Sequence, residues 1–307
     1  MIYEYGLEPE LVATWGNRAD FNFFINAFGL GQPRMVSEFP KLKNWRRKVL
    51  QALPSTIADL DRERVLELVR TMTERMVTRE EGHYDGSKEW LENAEREHAR
   101  IPFHAILAHD NPNNHPDIIV ANSLNATDTR WDVQRSKVVC RQAADMAAAV
   151  SDMLSNCREA IFVDPHFGPE LPRYRRPFSR FLHAVTINRG GNIPDRIVVI
   201  GSNRNPNYDF FRGECESRFP RLIPAGIDVI FVRIRQLAGG EAVHNRYILT
   251  ELGGVTFQHG LDDGRQGETD DVALMDRKQY EQRWEQYCGN NPVFDMDGDE
   301  FEVAGTG

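Results

Sequence analysis

The chain has 307 residues, of which 41% are hydrophobic and 27% are charged, a composition typical of a globular protein with a sizeable core. That length is enough for one large domain or two ordinary ones. The net charge of −9 argues against a protein that coats nucleic acid over its whole surface. No apolar run approaches the roughly 18–20 residues that a membrane-spanning helix needs, so no membrane partner is expected.

The N-terminus and the cysteines indicate the compartment. The first residues carry acids where a secretory signal carries bases, and they lack an apolar segment, which favours a cytoplasmic protein. The four cysteines lie far apart without a CxxC pair, which disfavours a disulfide framework and a structural zinc site. We therefore expect reduced thiols and no cofactor.

The first 130 residues are predicted to form a mainly helical region of unknown role. Apolar residues recur at helical spacing over 60–78 and 87–98, and two short strand-like runs follow at 103–108 and 117–122. The histidines and acids around the turn between these runs are His104, His109, His115, Asp110 and Asp117. Their spacing matches no metal-ligand motif, so no metal is expected.

Residues 131–290 are predicted to form an α/β domain, with a mixed sheet flanked by helices. Helices are predicted at 137–157, 173–188, 207–219 and 276–288. Strands are predicted at 159–164, 196–201, 227–234, 246–251, 255–258 and 271–275. Apolar, β-branched strands that alternate with helices favour a sheet covered on its faces. The acidic residues 291–307 are predicted to form a flexible tail.

The stretch 242–264, AVHNRYILTELGGVTFQHGLDDG, contains the chemistry that is easiest to interpret. His244 and Arg246 are two residues apart, so on a strand they point to the same face. An imidazole can act as nucleophile or acid, and a guanidinium offers a planar fork of donors to phosphate oxygens. The alternative is a surface histidine and arginine at the edge of a sheet.

This stretch resembles the HxK(x)4D(x)6GSxN signature of the phospholipase D superfamily. His244 falls on the histidine of the signature, Arg246 on the lysine and Glu251 on the aspartate, at matching spacing. Gln258 and His259 fall where the family has Gly-Ser, and Leu261 falls where it has Asn. The charges of the first part are therefore kept, whereas the residues that help to cradle the phosphate are replaced.

A second segment supports the resemblance, which covers residues 155–290. IFVDPHFGPE (161–170) resembles the strand ending in Asp-Pro-aromatic that opens many single-copy phospholipase D-like domains. The run H-x-R…GG…HGLD is also similar to the phospholipase D-like domains at the C-terminus of some MIT-domain proteins. Those domains are thought to be binding modules without hydrolytic activity.

The resemblance implies a phospholipase D-like fold and a phosphohistidine mechanism. In that mechanism one histidine attacks phosphorus and a second protonates the leaving oxygen. The chain contains one HxR, so the second imidazole comes either from a homodimer or from His259 or His166 of the same chain. His166 follows a predicted strand, where ligands tend to bind in open α/β sheets, and its alternative is an ordinary loop histidine.

Several other residues are candidates for binding phosphate. Arg173, Arg175 and Arg176 follow the DPHF segment and are expected to extend a positive groove along a nucleic-acid backbone. Ser202 and Asn203 follow the strand at 196–201 and are expected to offer donors at the next helix start. The acids Glu268, Asp270 and Asp271 are interpreted as a solvated turn rather than magnesium ligands.

These observations leave three functions open. The first is a metal-independent phosphodiesterase or nuclease. The second is a catalytically silent module that binds a protein partner or a phosphate-bearing ligand in a larger assembly, such as a bacterial antiviral defence complex. In the third, the first 130 residues carry the main function through contacts of their helices.

Overall fold

A computed structural model of the chain describes residues 1–79, 84–125, 127–187, 194–203, 206–289 and 293–307. The chain divides into two compact units, Ile2–Gln134 and Arg135–Gly307, the second of which includes Met1. This boundary lies close to the predicted one at residue 130. Across these described ranges, none of the helices combines the length and the apolar character that crossing a bilayer requires.

The N-terminal unit contains a four-stranded parallel sheet. Its strands are β1 (Tyr3–Leu7), β2 (Arg34–Val36), β3 (Ala105–Ala108) and β4 (Ile118–Val120). Its helices are α1 (Pro9–Val12), α2 (Arg18–Phe24), α3 (Leu42–Gln51), α4 (Asp59–Glu74) and α5 (Trp90–Arg100). The order across the sheet is β2-β1-β3-β4, and each neighbouring pair is parallel. The region is therefore rich in helix, as predicted, but its architecture is α/β.

The first strand of this sheet was not predicted from the sequence, because an acid stands in it. Glu4 of β1 is 7% exposed, and Arg79 donates to its two oxygens at 2.6 and 2.8 Å. Arg79 also donates to Glu97 of α5 at 3.0 Å. A buried carboxylate is tolerated where it is paired and hydrogen-bonded, and such a partner cannot be identified from local sequence.

The C-terminal unit is built on one mixed sheet flanked by helices. Its strands are β5 (Ser136–Cys140), β6 (Glu159–Val163), β7 (Arg196–Ser202), β8 (Asp228–Gln236), β9 (Tyr247–Thr250), β10 (Gly253–Phe257), β11 (Thr269–Leu274), β12 (Phe294–Met296) and β13 (Phe301–Ala304). Its helices are α6 (Ala143–Asn156), α7 (Pro172–Thr186), α8 (Tyr208–Arg218) and α9 (Arg277–Cys288). The order is β12-β8-β7-β6-β9-β10-β11-β5, and β13 also pairs with β8. The predicted α/β class with a mixed sheet is confirmed.

Two predicted elements of this unit are wrong. The helix predicted over 137–157 begins only at Ala143, because the preceding residues form β5, which pairs antiparallel with β11. Val138 and Val139 in this segment are β-branched and favour a strand. The acidic tail predicted at 291–307 is also not free, since β12 and β13 pair with the edge of β8. Its apolar residues alternate with its acids, as in a strand that covers a core.

We predict that replacement of Phe301 by alanine lowers the free energy of unfolding by about 3 kcal/mol. Phe301 is 8% exposed, and its ring stacks on Phe231 of β8 at a centroid distance of 5.7 Å. Chemical denaturation measures the effect. The matched control is Glu302→Ala, whose side chain is exposed on the other face of β13 and whose loss is expected to change stability by less than about 0.5 kcal/mol. Equal effects would contradict the placement of β13.

The directions of the strands bring several loops to one edge of this sheet. Strands β6, β7 and β8 are parallel, so their carboxyl ends meet there. Strand β9 is antiparallel to β6 and begins at that edge, and β10 is antiparallel to β9 and ends there. Strand β11 in turn begins there. Segments that are far apart in the sequence therefore converge at this edge.

Candidate functional site

Three histidines that are candidates from the sequence follow one another across this edge. The β6–β9 register matches Val163 with Tyr247, and the β9–β10 register matches Tyr247 with Thr256. Each of the three histidines lies three residues beyond these pairs in its own segment: His166 follows Val163, His244 precedes Tyr247 and His259 follows Thr256. We call these residues the histidine row. Because they come from three strand ends, a single chain brings more than one imidazole to this edge. The resemblance had left open whether the second imidazole comes from the same chain or from a homodimer.

His259 is held by a buried carboxylate. Asp270 is 1% exposed, and its Oδ1 lies 3.2 Å from Nδ1 of His259. Asp270 also accepts the backbone N–H groups of Gln258 at 3.0 Å and His259 at 3.1 Å. With a carboxylate as acceptor, Nδ1 is the donor, so Nε2 is the nitrogen that has the lone pair in the neutral imidazole. The side chain of His259 is 58% exposed, so this imidazole can act on a bound ligand as a nucleophile or base.

A second buried carboxylate fixes the loops on either side of the histidine row. Asp164 is 2% exposed and accepts the backbone N–H groups of His166 at 2.9 Å and Leu261 at 2.8 Å. Burial raises the pKa of Asp164, and the nearby charge of Arg246 acts in the opposite direction. Gly260 lies between these loops with a φ of +138°, and a Cβ there would lie 3.2 Å from Asp164 Oδ2. The turn after His259 therefore requires glycine.

The predicted pair of His244 and Arg246 lies just before β9 rather than within it. Arg246 still continues the ladder, since its carbonyl accepts the N–H of Phe257 at 3.1 Å. Its Nε is buried and has no hydrogen-bond partner within the part of the chain that the structure describes. His244 is exposed, and its Nδ1 lies 2.9 Å from the carbonyl of Ala242, which leaves Nε2 facing outward. Both residues therefore lie at this edge of the sheet, as expected from the sequence.

Glu251 lies at the other end of β9 from Arg246. Its carboxylate accepts the backbone N–H groups of Arg158 at 2.7 Å and Glu159 at 3.0 Å, at the beginning of β6. Burial raises the pKa of Glu251. The structure therefore separates Glu251 from the histidine row and gives it a role in anchoring β6.

The predicted phosphate-binding arginines are used in different ways. Asp262 pairs with Arg141 at 2.6 Å and with Arg173 at 3.5 Å. Asp263 pairs with Arg176 at 2.8 Å. Arg175 donates to the backbone carbonyls of Pro169 and Glu170 at 3.0 Å. These acceptors are uncharged, so the contacts do not cancel the charge of Arg175. Arg173 and Arg176 thus lie beside acids of the loop that follows His259.

Ser202 and Asn203 are at the predicted strand end but offer few free donors. The hydroxyl of Ser202 donates to the carbonyl of Pro165 at 2.6 Å, and Ser202 is 8% exposed. The backbone N–H of Asn203 donates to Ile234 at 3.1 Å. These groups hold the β6–β7–β8 edge together rather than face a ligand, and the side chain of Asn203 alone is exposed.

The sequence reasoning missed the roles of Asp270, Asp262 and Arg141. Asp270 is identified by the β10–β11 register, which matches Phe257 with Val272 and so brings His259 opposite Asp270. The acids around Asp270 do not form a shared cation site, since Asp271 points to the exposed side of β11. No local pattern indicates Arg141, which follows β5, the last strand in the order of the sheet.

The N-terminal unit brings His98, His115 and Asp117 together, with ligand atoms within 4.8 Å of one another. His98 Nδ1 accepts the N–H of Phe103 at 3.2 Å, so Nε2 carries the proton and donates to Asp117 Oδ2 at 3.0 Å. Burial lowers the pKa of His98, which favours this neutral form. Arg130 also pairs with Asp117. These contacts occupy the atoms that a metal would need, so the residues fit a metal poorly.

The same unit has a cavity of about 390 Å³ at the carboxyl ends of β1 and β3. Glu8 follows β1, and its Oε2 accepts from the backbone N–H of His109 at 2.6 Å and lies 3.1 Å from Nδ1 of that ring. The remaining acids of the lining are Glu10, Glu89, Glu92, Glu95 and Asp110. Their charge opposes a phosphate group, so this cavity is unsuited to the ligand that the histidine row suggests.

Comparisons with known proteins do not identify the chain. No family model matches the sequence, and no curated protein matches it. Among solved structures, a match is TrmBL2, described as an archaeal chromatin protein with a novel mode of DNA binding. The two share 9% identity at a TM-score of 0.27, over 80% of this chain and 73% of that chain. A similarity this weak carries no argument about fold or function, and the chain belongs to no family that these comparisons show.

Proposed function

We propose that the C-terminal unit recognises a phosphodiester or phosphate group at the histidine row and cleaves phosphodiesters without a metal ion. The observation that carries the proposal is the pair of His259 and Asp270, with its outward Nε2 at the same edge as Arg246. Arg246 supplies a guanidinium whose Nε has no hydrogen-bond partner in the described part of the chain. A group with two or more anionic oxygens can contact both His259 and Arg246 and can accept hydrogen bonds from the guanidinium.

The chemistry assigns different roles to the histidines. Nε2 of His259 attacks phosphorus and forms a P–N bond, while the P–O bond to the leaving group breaks. A protonated His244 gives its Nε2 proton to the leaving oxygen, and His244 then takes a proton from the water that displaces His259 from phosphorus. The sequence pattern left open which histidine attacks, and the Asp270 carboxylate favours His259 in that role. Arg246 stabilises the charge on the phosphoryl oxygens.

The second candidate is a silent binding module within a larger assembly. The observation that favours it is the pairing of Asp262 with Arg141 and Arg173, which offsets part of the positive charge beside the histidine row. The position of Glu251, away from the row, is also consistent with it. Such a module binds a phosphate-bearing partner without turnover. The predictions of a nucleic-acid ligand, a protein partner and a homodimer belong to these proposals.

The binding step is tested with Arg246→Gln. We expect this variant to bind inorganic phosphate about tenfold or more weakly than the wild type, as the loss of a charge-assisted contact implies. Isothermal titration measures the affinity. Arg158→Gln is the matched control, because Arg158 is an exposed arginine at the opposite edge of the same sheet, paired with Asp195. Equal affinities of the two variants would rule out Arg246 as a phosphate ligand.

A further inference from the structure

A groove of about 600 Å³ lies between the N-terminal turn of α6, the first nine residues of α7 and the loop that follows His259. It is lined by Gln142, Arg175, Arg176, Ser179, Arg180 and Asp263, and we call it the arginine groove. Three arginines face one aspartate in this lining, so its charge is positive although the chain as a whole is acidic. A concave surface with one sign of charge concentrates the opposite charge.

The arginines of the groove are not all neutralised by the protein. Arg175 donates to backbone carbonyls, which satisfy its hydrogens without cancelling its charge. Arg180 is exposed, and no carboxylate lies within ion-pair distance of it among the residues that the structure describes. Only Arg176 has an acid, Asp263, at 2.8 Å. The groove therefore keeps a net attraction for anions.

The loop that follows His259 connects the histidine row to the groove, because Asp263 and Gly264 of this loop line it. Asp262 and Asp263 are neighbours in the chain, and the first pairs with Arg173 while the second pairs with Arg176. On α7, Arg173, Arg176 and Arg180 follow one another at spacings of three and four residues, which place them on one helix face. The rise of the helix separates Arg176 from Arg180 by about 6 Å. A ligand that contacts both Arg176 and Arg180 therefore carries at least two phosphates at about this spacing.

We propose that the arginine groove binds the backbone of a single-stranded nucleic acid. The phosphate next to those in the groove is then held at the histidine row. This inference rests on the proposed function, because it places one phosphate of the strand at the histidine row. It adds the class of substrate, a single-stranded nucleic acid. The groove lining contains arginines but no aromatic side chain on which a base could stack, so we expect binding to depend on the phosphates rather than on the bases. A concave groove fits a strand better than it fits the flat surface of an anionic membrane.

The test measures affinity against ligand length. Inorganic phosphate, a dinucleotide and strands of about four, eight and twelve nucleotides are titrated into the full chain, with fluorescence anisotropy for the strands. We expect the affinity of the wild type to rise with length. In Arg180→Gln we expect roughly threefold to tenfold weaker binding of the longest strand and a log–log salt slope that is smaller by about 0.7, with phosphate binding unchanged. Arg158→Gln serves as the exposed-arginine control.

The outcomes separate this inference from the proposed function. If phosphate binds but affinity does not rise with length, or if Arg180→Gln behaves like Arg158→Gln, the groove is not a strand-binding site. Binding to phosphatidylserine vesicles without binding to strands also overturns it. If strands bind through Arg180 while Arg246→Gln leaves phosphate binding intact, the groove stands and the proposed function fails. Absence of binding to every ligand overturns both.

Discussion

His259→Ala is expected to slow the hydrolysis of a phosphodiester by about 10²–10⁴-fold, the range for loss of a positioned imidazole. The reason is that His259 is the histidine of the row whose Nδ1 is held by a buried carboxylate, Asp270, at 3.2 Å. The fold is expected to survive, because the side chain is 58% exposed and the backbone contacts to Asp270 do not depend on it. Rates on bis(p-nitrophenyl) phosphate and on single-stranded DNA in EDTA measure the effect.

The control for this variant is His183→Ala. His183 is an exposed histidine on α7 of the same unit, and its removal is expected to leave the rate unchanged. A wild type and a His259→Ala variant that cleave at equal rates would contradict the assignment of His259. A folded wild type that binds phosphate but cleaves neither substrate would instead establish the silent binding module.

Asp270→Asn is expected to lower the same rate by up to about 10⁴-fold, because the amide no longer fixes the tautomer of His259. It also costs about 1–3 kcal/mol of stability. The carboxylate accepts from the backbone N–H groups of Gln258 and His259 and from the imidazole, in a place that is 1% exposed. An amide offers one acceptor oxygen in place of two, so its NH2 group faces an N–H group of Gln258 or His259 and a hydrogen bond is lost.

The matched control for this prediction is Asp271→Asn. It makes the same change one residue further along β11, where the side chain is exposed and points to the other face. We expect it to change the rate by less than twofold and the free energy of unfolding by less than about 0.5 kcal/mol. Similar losses of activity in the two variants would show that the charge of this strand, rather than the contact with His259, matters.

The periodicity of apolar residues predicted most of the C-terminal unit. Strands with continuous apolar runs, such as β6 and β7, were found because burial on both faces leaves a strong signal. Elements whose stability depends on a distant partner were missed. Glu4 makes β1 look polar until Arg79 is placed beside it, and the acids of β12 and β13 look solvated until their alternate residues are paired with β8.

The candidate site was predicted in its histidines but not in its supporting carboxylates. His166, His244 and His259 stood out as residue types that carry phosphoryl chemistry, and the neighbouring strands β6, β9 and β10 bring them to one edge of the sheet. Glu251 matched the family spacing, but spacing along a strand cannot show that the strand carries it to the opposite edge. Asp270 became visible only when the hairpin of β10 and β11 fixed its position opposite His259.

Nuclear magnetic resonance of the full chain with ¹⁵N-labelled histidine tests most directly whether the histidine row forms one anion site. The chain has nine histidines, so the imidazole signals can be assigned one at a time with single substitutions. On titration with inorganic phosphate, we predict that the signals of His166, His244 and His259 shift together with one apparent affinity while that of His183 stays in place. Shifts with separate affinities, or signals of His244 and His259 that do not respond, would contradict the account.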